Sequence, residues 1–435
     1  MQPRSTEPGA EAALAAADGW VPLQVLVVGL CFLLNMLDGA DLLVMSFIAP
    51  VVADQWTVSP EHLGYLFSAS LAGMAVGCVG IAPKADHYGR RGLILAGLAL
   101  TAGAMLLSAL SHNVAELIAA RLLVGVGVGT IGVTMTTMAA EYAPRRHSSF
   151  AVGLVQAGWP LGSIITALAC ARLLPGTGWP LLLIGIGAVS TCLLLAVAAL
   201  LPESISFLQL DRSPGGLSRI NAIRHRLRLA PLAELPAVAE QGEPSPAALF
   251  TPGRAVPTAL LWTAVTLSYF VLYFVISWIP RLVMQSGLPL AQSIYAGATF
   301  NLGAFIGTAA IGWVSARYRL TATVATWLAT AAVVMVVFGG IPMPLVFTLL
   351  TAMTVGITVQ GGFNGFWAVA TRLYPAGIRN TGVGWVMGTG RVGAVLGPIA
   401  GGYLVGARVS MPVIFAIYAL PLLIAAVLTT RIRLS

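Results

Sequence analysis

Asn35-Met36-Leu37-Asp38-Gly39-Ala40-Asp41 places two carboxylates and an amide in the middle of the first long apolar run of the chain, residues 22–52. A run of that length matches a bilayer crossing rather than a soluble core helix. An acid at the centre of a membrane helix costs about 2.5–3.5 kcal/mol on insertion scales. Asp38 and Asp41 are three residues apart and share one helix face, and Asn35 extends that face by another step of three. Such a stripe either lines an ion or substrate pathway or fastens neighbouring helices together. The general behaviour of intramembrane acids favours the pathway.

The composition outside this stretch agrees with a membrane setting. The chain has 435 residues, 58% of them hydrophobic and only 9% charged, with a mean hydropathy of +0.89. A soluble domain carries about 25% charged residues. The apolar runs are long and unbroken rather than alternating, so the spans are helices and not barrel strands. A soluble enzyme is excluded on this ground, and no nucleophile–base set or metal-ligand cluster is visible. Cys31, Cys78, Cys170 and Cys192 all fall in apolar segments without metal spacing. They read as small packing residues, with no disulfide expected.

Windows of about twenty apolar residues predict twelve spans. They lie near 22–52, 63–83, 93–111, 115–141, 149–173 and 180–201, then 257–280, 291–316, 322–340, 343–371, 381–405 and 411–430. The expected fold is an all-α membrane protein of twelve transmembrane helices in two six-helix halves. Its parts are a cytoplasmic tail (1–21), an N-terminal half (22–201), a central cytoplasmic loop (202–256), a C-terminal half (257–430) and a second tail (431–435). The first residues lack the basic n-region of a signal peptide and read as a short disordered tail.

The loops orient the bundle. With both termini cytoplasmic, 18 of the 23 Lys and Arg residues fall on that side. Arg172, Arg281 and Arg408 fall opposite, and Arg121 and Arg391 lie within spans. The positive-inside rule favours this topology. The net charge of +8 is then a topology signal, and no nucleic-acid partner is expected. The run from Arg219 to Arg228 is either a basic helix on anionic lipid or the solvated part of a linker. The halves also repeat. Tyr142-Ala143-Pro144, Gly153 and Gly162 recur as Tyr374-Pro375, Gly384 and Gly393, with one offset at the proline and both glycines. A parallel repeat puts a substrate site near the midplane between the halves.

Four full charges are predicted within spans: Asp38, Asp41, Arg121 and Arg391, with Glu141 at the end of the fourth span. Each is too costly to leave unpaired in lipid. A buried carboxylate beside a guanidinium can exchange a proton as its surroundings open and close. Arginine stays charged and grips carboxylates with two parallel donors. Asp38 and Asp41 are therefore the candidates for proton coupling. Arg391 is the first candidate for holding an anion. Arg121 either holds an anion or neutralises the first-helix acids. Trp159, Tyr269, Tyr273 and Trp367, with the polar groups of Asn35, Gln156, Asn301, Gln360 and Asn364, suit a planar apolar acid. Each aromatic has a packing or interface-anchor reading as well.

The loop Ala82-Pro83-Lys84-Ala85-Asp86-His87-Tyr88-Gly89-Arg90-Arg91 resembles the signature between helices two and three of the major facilitator superfamily. It departs from that signature at Ala82, Lys84 and His87, where a glycine, an apolar residue and an arginine are usual. Within that superfamily the chain most resembles the aromatic acid:proton symporter family. Asp38-Gly39-x-Asp41 followed by Pro50, Arg121-x-x-x-Gly125-x-Gly127-x-Gly129 and Glu141-Tyr142-x-Pro144 carry this resemblance. So do Tyr374-Pro375-x-x-x-Arg379-x-Thr381-Gly382-x-Gly384-Trp385 and Gly390-Arg391-x-Gly393. It implies proton-driven uptake of benzoate-like or hydroxybenzoate-like acids across a bacterial inner membrane, with Asp38 and Asp41 important for transport.

It also implies a cytoplasmic gate of Asp86, Gly89, Arg90, Arg91, Glu141, Arg145 and Arg379. In that gate the acid meets a helix N-terminus and the arginines pair across the halves. No cofactor is expected beyond the proton as coupling ion. The partners would be a small organic acid and the bilayer, and the chain would act as a monomer. The rival readings are an exporter of drugs or metabolites on the same fold, a symporter of a non-aromatic carboxylate, and a non-transporting membrane sensor.

Overall fold

The structure is a computed structural model. It describes residues 19–210, 215–235, 246–285, 287–315, 317–375 and 378–432, except the side chains of residues 86, 145, 149, 210, 246, 379 and 380. Residues 1–18 of the expected tail (1–21) and residues 433–435 of the second tail (431–435) lie outside the described residues.

Twelve long helices carry the fold. In the first half they are α1 (Pro22–Trp56), α2 (Pro60–Val76), α3 (Arg90–Ala109), α4 (Val114–Tyr142), α5 (Ser148–Thr177) and α6 (Trp179–Leu200). In the second half they are α7 (Ala255–Gln285), α8 (Leu290–Ser315), α9 (Leu320–Gly340), α10 (Leu345–Leu373), α11 (Arg379–Gly406) and α12 (Met411–Arg431). All twelve coincide with the spans expected from apolar windows. Eleven of the described helices are long and apolar enough to cross a membrane. The remaining one, α11, has 28 residues, ample length at about 1.5 Å per residue. Its repeated glycines and Arg391 lower its apolar content instead.

Local chemistry sets the helix ends. Pro22 and Pro60 occupy first-turn positions, where a missing N–H costs nothing. Asn113 caps α4 by accepting from the Glu116 N–H at 2.9 Å, and Glu116 returns the bond to the His112 N–H at 2.8 Å. The loop between α2 and α3 departs from a plain α-helix. Gly77–Ile81 forms a π-helical turn and Ala82–Lys84 a 3-10 turn. Gly89 then takes φ +87° to start α3, a conformation that favours glycine.

The two halves pack by one scheme. In the first, α1 lies on α5, α2 on α4 and α3 on α6; in the second, α7 lies on α11, α8 on α10 and α9 on α12. Lipid gives no hydrophobic drive between helices, so close approach of small residues matters more. A Cβ on Gly129 would strike the Met74 carbonyl, 2.8 Å from its carbon, and one on Gly307 would strike the Ile357 carbonyl, 2.9 Å from its carbon. These are matching contacts, α4 on α2 and α8 on α10.

The halves join through α2 against α11, α5 against α8 and α1 against α7. Contacts across this seam gather at the end away from the arginine-rich loops. Ser46 donates to the Ile276 carbonyl at 2.8 Å, Ser68 donates to the Val395 carbonyl at 2.6 Å, and the Tyr65 and Tyr403 hydroxyls meet at 2.6 Å.

The central stretch differs from the sequence expectation. Residues Gly216–Arg226 form a helix that is neither a solvated linker nor free to lie on lipid by its apolar side. Ile220, Ile223 and Leu227 are buried in one apolar cluster with Ile205 and with residues of the first half, among them Leu201 and Tyr142, while Arg219 and Arg226 stay exposed. The three-and-four spacing of those apolar residues decides the docking, and the arginines between them hide it in a charge census.

Candidate functional site

The acid stripe is aimed by a backbone contact. A Cβ on Gly39 would strike the Trp159 carbonyl and lie 3.0 Å from Ser163 Oγ of α5. Gly158 and Gly162 press back on Phe32 and Met36 of α1 in the same way. The face of α1 that carries Gly39 is therefore filled by α5. Asp38 and Asp41 project elsewhere and line one small cavity, Asp38 on the side of the seam and Asp41 inside the first half.

Asp38 is half-buried at the seam between the halves. The Arg391 guanidinium of α11 lies within electrostatic reach of it. Asp41 is 1% exposed and sits inside the first half. Both of its carboxylate oxygens, and Oδ1 of Asp38, lack hydrogen-bond partners among the described residues. Leaving a buried charge uncompensated costs several kcal/mol on the order-of-magnitude scale. The protonation of each acid is therefore tied to its arginine: Arg391 for Asp38 and Arg121 for Asp41.

The two arginines are held differently. Arg121 is 0% exposed. It donates from Nε to Ser70 Oγ at 3.1 Å, from Nη1 to Met105 Sδ at 3.1 Å, and from Nη2 to the main-chain carbonyl of Asp41. All three of these partners belong to the first half. Arg391 is half-buried, and its Nη1 has no hydrogen-bond partner among the described residues. Tyr269, Tyr273, Cys78 and Asp38 surround it.

An aromatic wall stands beside Arg391. Its guanidinium lies 5.9 Å from the Tyr269 ring. Tyr269 stacks on Tyr273 at 5.7 Å and meets the edge of Phe363 at 4.6 Å. Phe363 in turn meets Trp367 at 5.5 Å. Gly390 permits this arrangement, because a Cβ there would collide with the Tyr269 ring. The polar candidates divide. Asn35 bonds the Val155 carbonyl at 2.7 Å and Gln156 Oε1 at 3.3 Å, tying α1 to α5, while Gln156 itself is exposed. Asn301 bonds the Gly297 carbonyl at 2.8 Å and keeps a buried Oδ1 without a described partner, as does Gln360 Oε1. Asn364 turns to Thr308 of α8 at 2.6 Å. Trp159 and Trp367 are half-buried.

Two residues near these charges were not singled out from sequence. Cys78 reads as packing, yet the π-helical turn carries it beside Arg391. Thr101 of α3 shares a small cavity with Asp38 and Asp41. Neither has a sequence signal, since a π turn and a helix–helix facing are both tertiary outcomes.

At the arginine-rich end, the signature arginines pair inside their own half. Arg90 forms an ion pair with Glu141 and donates to Ser204 Oγ at 3.1 Å. Arg91 donates to the Ala198 carbonyl at 2.6 Å, and its N–H donates to Glu203 Oε1 at 3.0 Å. These contacts go to α4, α6 and the segment after it. The reason is proximity: Gly89 packs directly on Glu203, whose Oε2 would lie 2.6 Å from a Cβ there. The side chains of Asp86, Arg145 and Arg379 lie outside the described residues.

The family model described as Major Facilitator Superfamily matches residues 30–381. The chain belongs to the Major Facilitator Superfamily. It is a membrane transporter rather than an enzyme, and membership extends over nearly all of its length. It is 32% identical to the 4-hydroxybenzoate transporter PcaK of Pseudomonas putida, over 87% of this chain and 86% of that one. It is 30% identical to a gallate transporter of Pseudomonas putida, over 93% and 90%. Among solved superfamily structures, a bacterial homologue of the human lysosomal transporter Spinster, in an inward-facing and occupied conformation, superposes with a TM-score of 0.73. That match has 17% identity and covers 95% of this chain and 97% of that chain.

Proposed function

We propose that the protein imports an aromatic carboxylate, of the benzoate or hydroxybenzoate type, together with a proton by alternating access. The observation that carries this reading is the unpartnered Nη1 of Arg391 beside the Tyr269–Tyr273–Phe363–Trp367 wall, with Asp38 facing it from the other half. A planar acid placed there gives its carboxylate to the guanidinium and its ring to the aromatic side chains. The substrate names of the relatives at 32% and 30% identity support the same chemistry.

The coupling follows from charge. With the site free of substrate, Asp38 and Arg391 compensate each other across the seam. When a substrate carboxylate takes the guanidinium, Asp38 loses its counter-charge and takes a proton instead. Carrier, proton and monoanion then move without net charge. A second proton per cycle would draw on the membrane potential, about 2.3 kcal/mol per 100 mV. The arginine-rich loops face the cytoplasm in this reading, with both termini on the cytoplasmic side of the bacterial inner membrane. The described seam contacts then shut the outer end, and one chain carries a whole site between its own halves.

The test is uptake of labelled benzoate and 4-hydroxybenzoate, with and without a proton uncoupler. Accumulation that follows the proton inward and collapses with uncoupler supports the proposal. Export against an inward proton gradient, or transport of aliphatic acids alone, overturns it.

A further inference from the structure

The cavity shared by Asp38 and Asp41 is about 10 Å³ in volume, lined also by Thr101 of α3, by Leu34 and Leu37 of α1, and by Val128 and Gly132 of α4 among others. That is the space of a single water molecule. A bound water also needs two to four polar partners. This cavity offers them. Asp41 Oδ1 and Oδ2, Asp38 Oδ1 and Thr101 Oγ are all buried without hydrogen-bond partners among the described residues. Thr101 is 0% exposed. Arg121 does not supply a donor to the Asp41 carboxylate: among the described residues its bonds go to Ser70, Met105 and the Asp41 carbonyl, and both carboxylate oxygens stay without a partner.

We propose that this cavity is a water site, held by Thr101, through which a proton passes between Asp38 and Asp41. The inference rests on the proton-coupled reading given above and adds its route. Asp38 reaches the seam and can take a proton there; Asp41 is sealed inside the first half. In the transfer, the Asp38 O–H bond breaks as its proton joins the water oxygen. One of the water's own O–H bonds breaks as Asp41 gains that proton. Water is regenerated and the net change is one proton moved from Asp38 to Asp41. The charged groups facing the pair are Arg391 from α11, on the Asp38 side, and Arg121 from α4, on the Asp41 side. Thr101 is a positioning residue in this scheme, since it orients the water and need not itself change protonation.

The test uses purified full-length protein in liposomes and labelled 4-hydroxybenzoate as the probe. Uptake driven by an imposed pH gradient is compared with substrate counterflow in the same vesicles for Thr101→Val, Thr101→Ser and Asp41→Asn. Thr101→Val keeps the side-chain volume and removes the hydroxyl. The expected result is a fall of about tenfold in gradient-driven uptake relative to counterflow for Thr101→Val, the scale of one lost buried hydrogen bond. Thr101→Ser should recover the ratio. An unchanged ratio in Thr101→Val, with Asp41→Asn uncoupled, overturns the water route and leaves the coupling by the acids standing. Gradient-driven uptake retained in Asp41→Asn overturns the role of that acid, and the route with it.

Discussion

Arg121 donates to the main-chain carbonyl of Asp41 and leaves the carboxylate of the same residue without a hydrogen-bond partner among the described residues. The guanidinium thus braces the helix that carries the acid while acting on the acid only through space. This separates structural support from titration at one residue. A direct two-pronged ion pair would have fixed Asp41 in its charged form.

Removal of that brace should therefore damage the fold first. Arg121→Ala leaves Ser70 and Asp41 facing an unfilled buried space. Breaking a buried charge pair costs about 3–5 kcal/mol, so a marked fall in thermal stability in detergent is expected. Arg121→Lys keeps the charge but not the three-way fork, and should lose less. Normal stability with lost substrate binding would contradict the bracing role.

Arg391 should behave in the opposite way. Its Nη1 is uncommitted among the described residues, so Arg391→Lys is expected to fold and to bind weakly. Losing a charge-assisted hydrogen bond is worth about 1.5–3 kcal/mol, on the order of a tenfold to hundredfold rise in the KM for 4-hydroxybenzoate. Transport kinetics on purified protein give the number. An unchanged KM would remove Arg391 from the substrate site.

Asp38→Asn holds a neutral group at the seam. Uptake in this variant should no longer respond to an imposed pH gradient, and an uncoupler should make no difference to it. The measurement is initial uptake rate at fixed substrate with the inside pH varied. Persistent stimulation by an inward proton gradient would assign coupling elsewhere.

The shut end of the seam depends on the approach of α2 to α11. A Cβ on Gly402 would lie 2.6 Å from the Pro60 carbonyl oxygen, and one on Gly64 would lie 2.8 Å from that of Pro398. Gly402→Val should hold this end apart. Labelling of a Ser68→Cys thiol by an impermeant maleimide is expected to speed up in that background, because Ser68 is buried and donates to the Val395 carbonyl across the closed seam. An unaltered labelling rate would place the closing contact elsewhere.

The helices and their order were legible because lipid imposes one simple rule, a continuous apolar run of sufficient length. The acid stripe and Arg391 were legible for the complementary reason, that charge in lipid is rare. Other features were not legible because they depend on which helix faces which. Arg121 and Arg391 look alike in sequence, yet one is sealed by Ser70 and Met105 and the other reaches the seam. Thr101 carries no signal until α3 is set against α4, beside the acids of α1. The docking of Gly216–Arg226 was masked by its own arginines, although Ile220, Ile223 and Leu227 already had the right spacing. The arginines of the signature loop found Glu141, Ser204 and Ala198 nearby, a choice that no motif encodes.

Asp38 and Asp41 share the first half with a single intramembrane arginine, Arg121, and Arg391 lies in the second. Produced as two separate polypeptides, one fragment would hold a surplus negative group at mid-membrane and the other a surplus positive one. Co-expression is then expected to rescue each from the quality-control proteases that clear it alone, so electrical balance would itself act as the assembly checkpoint of the carrier.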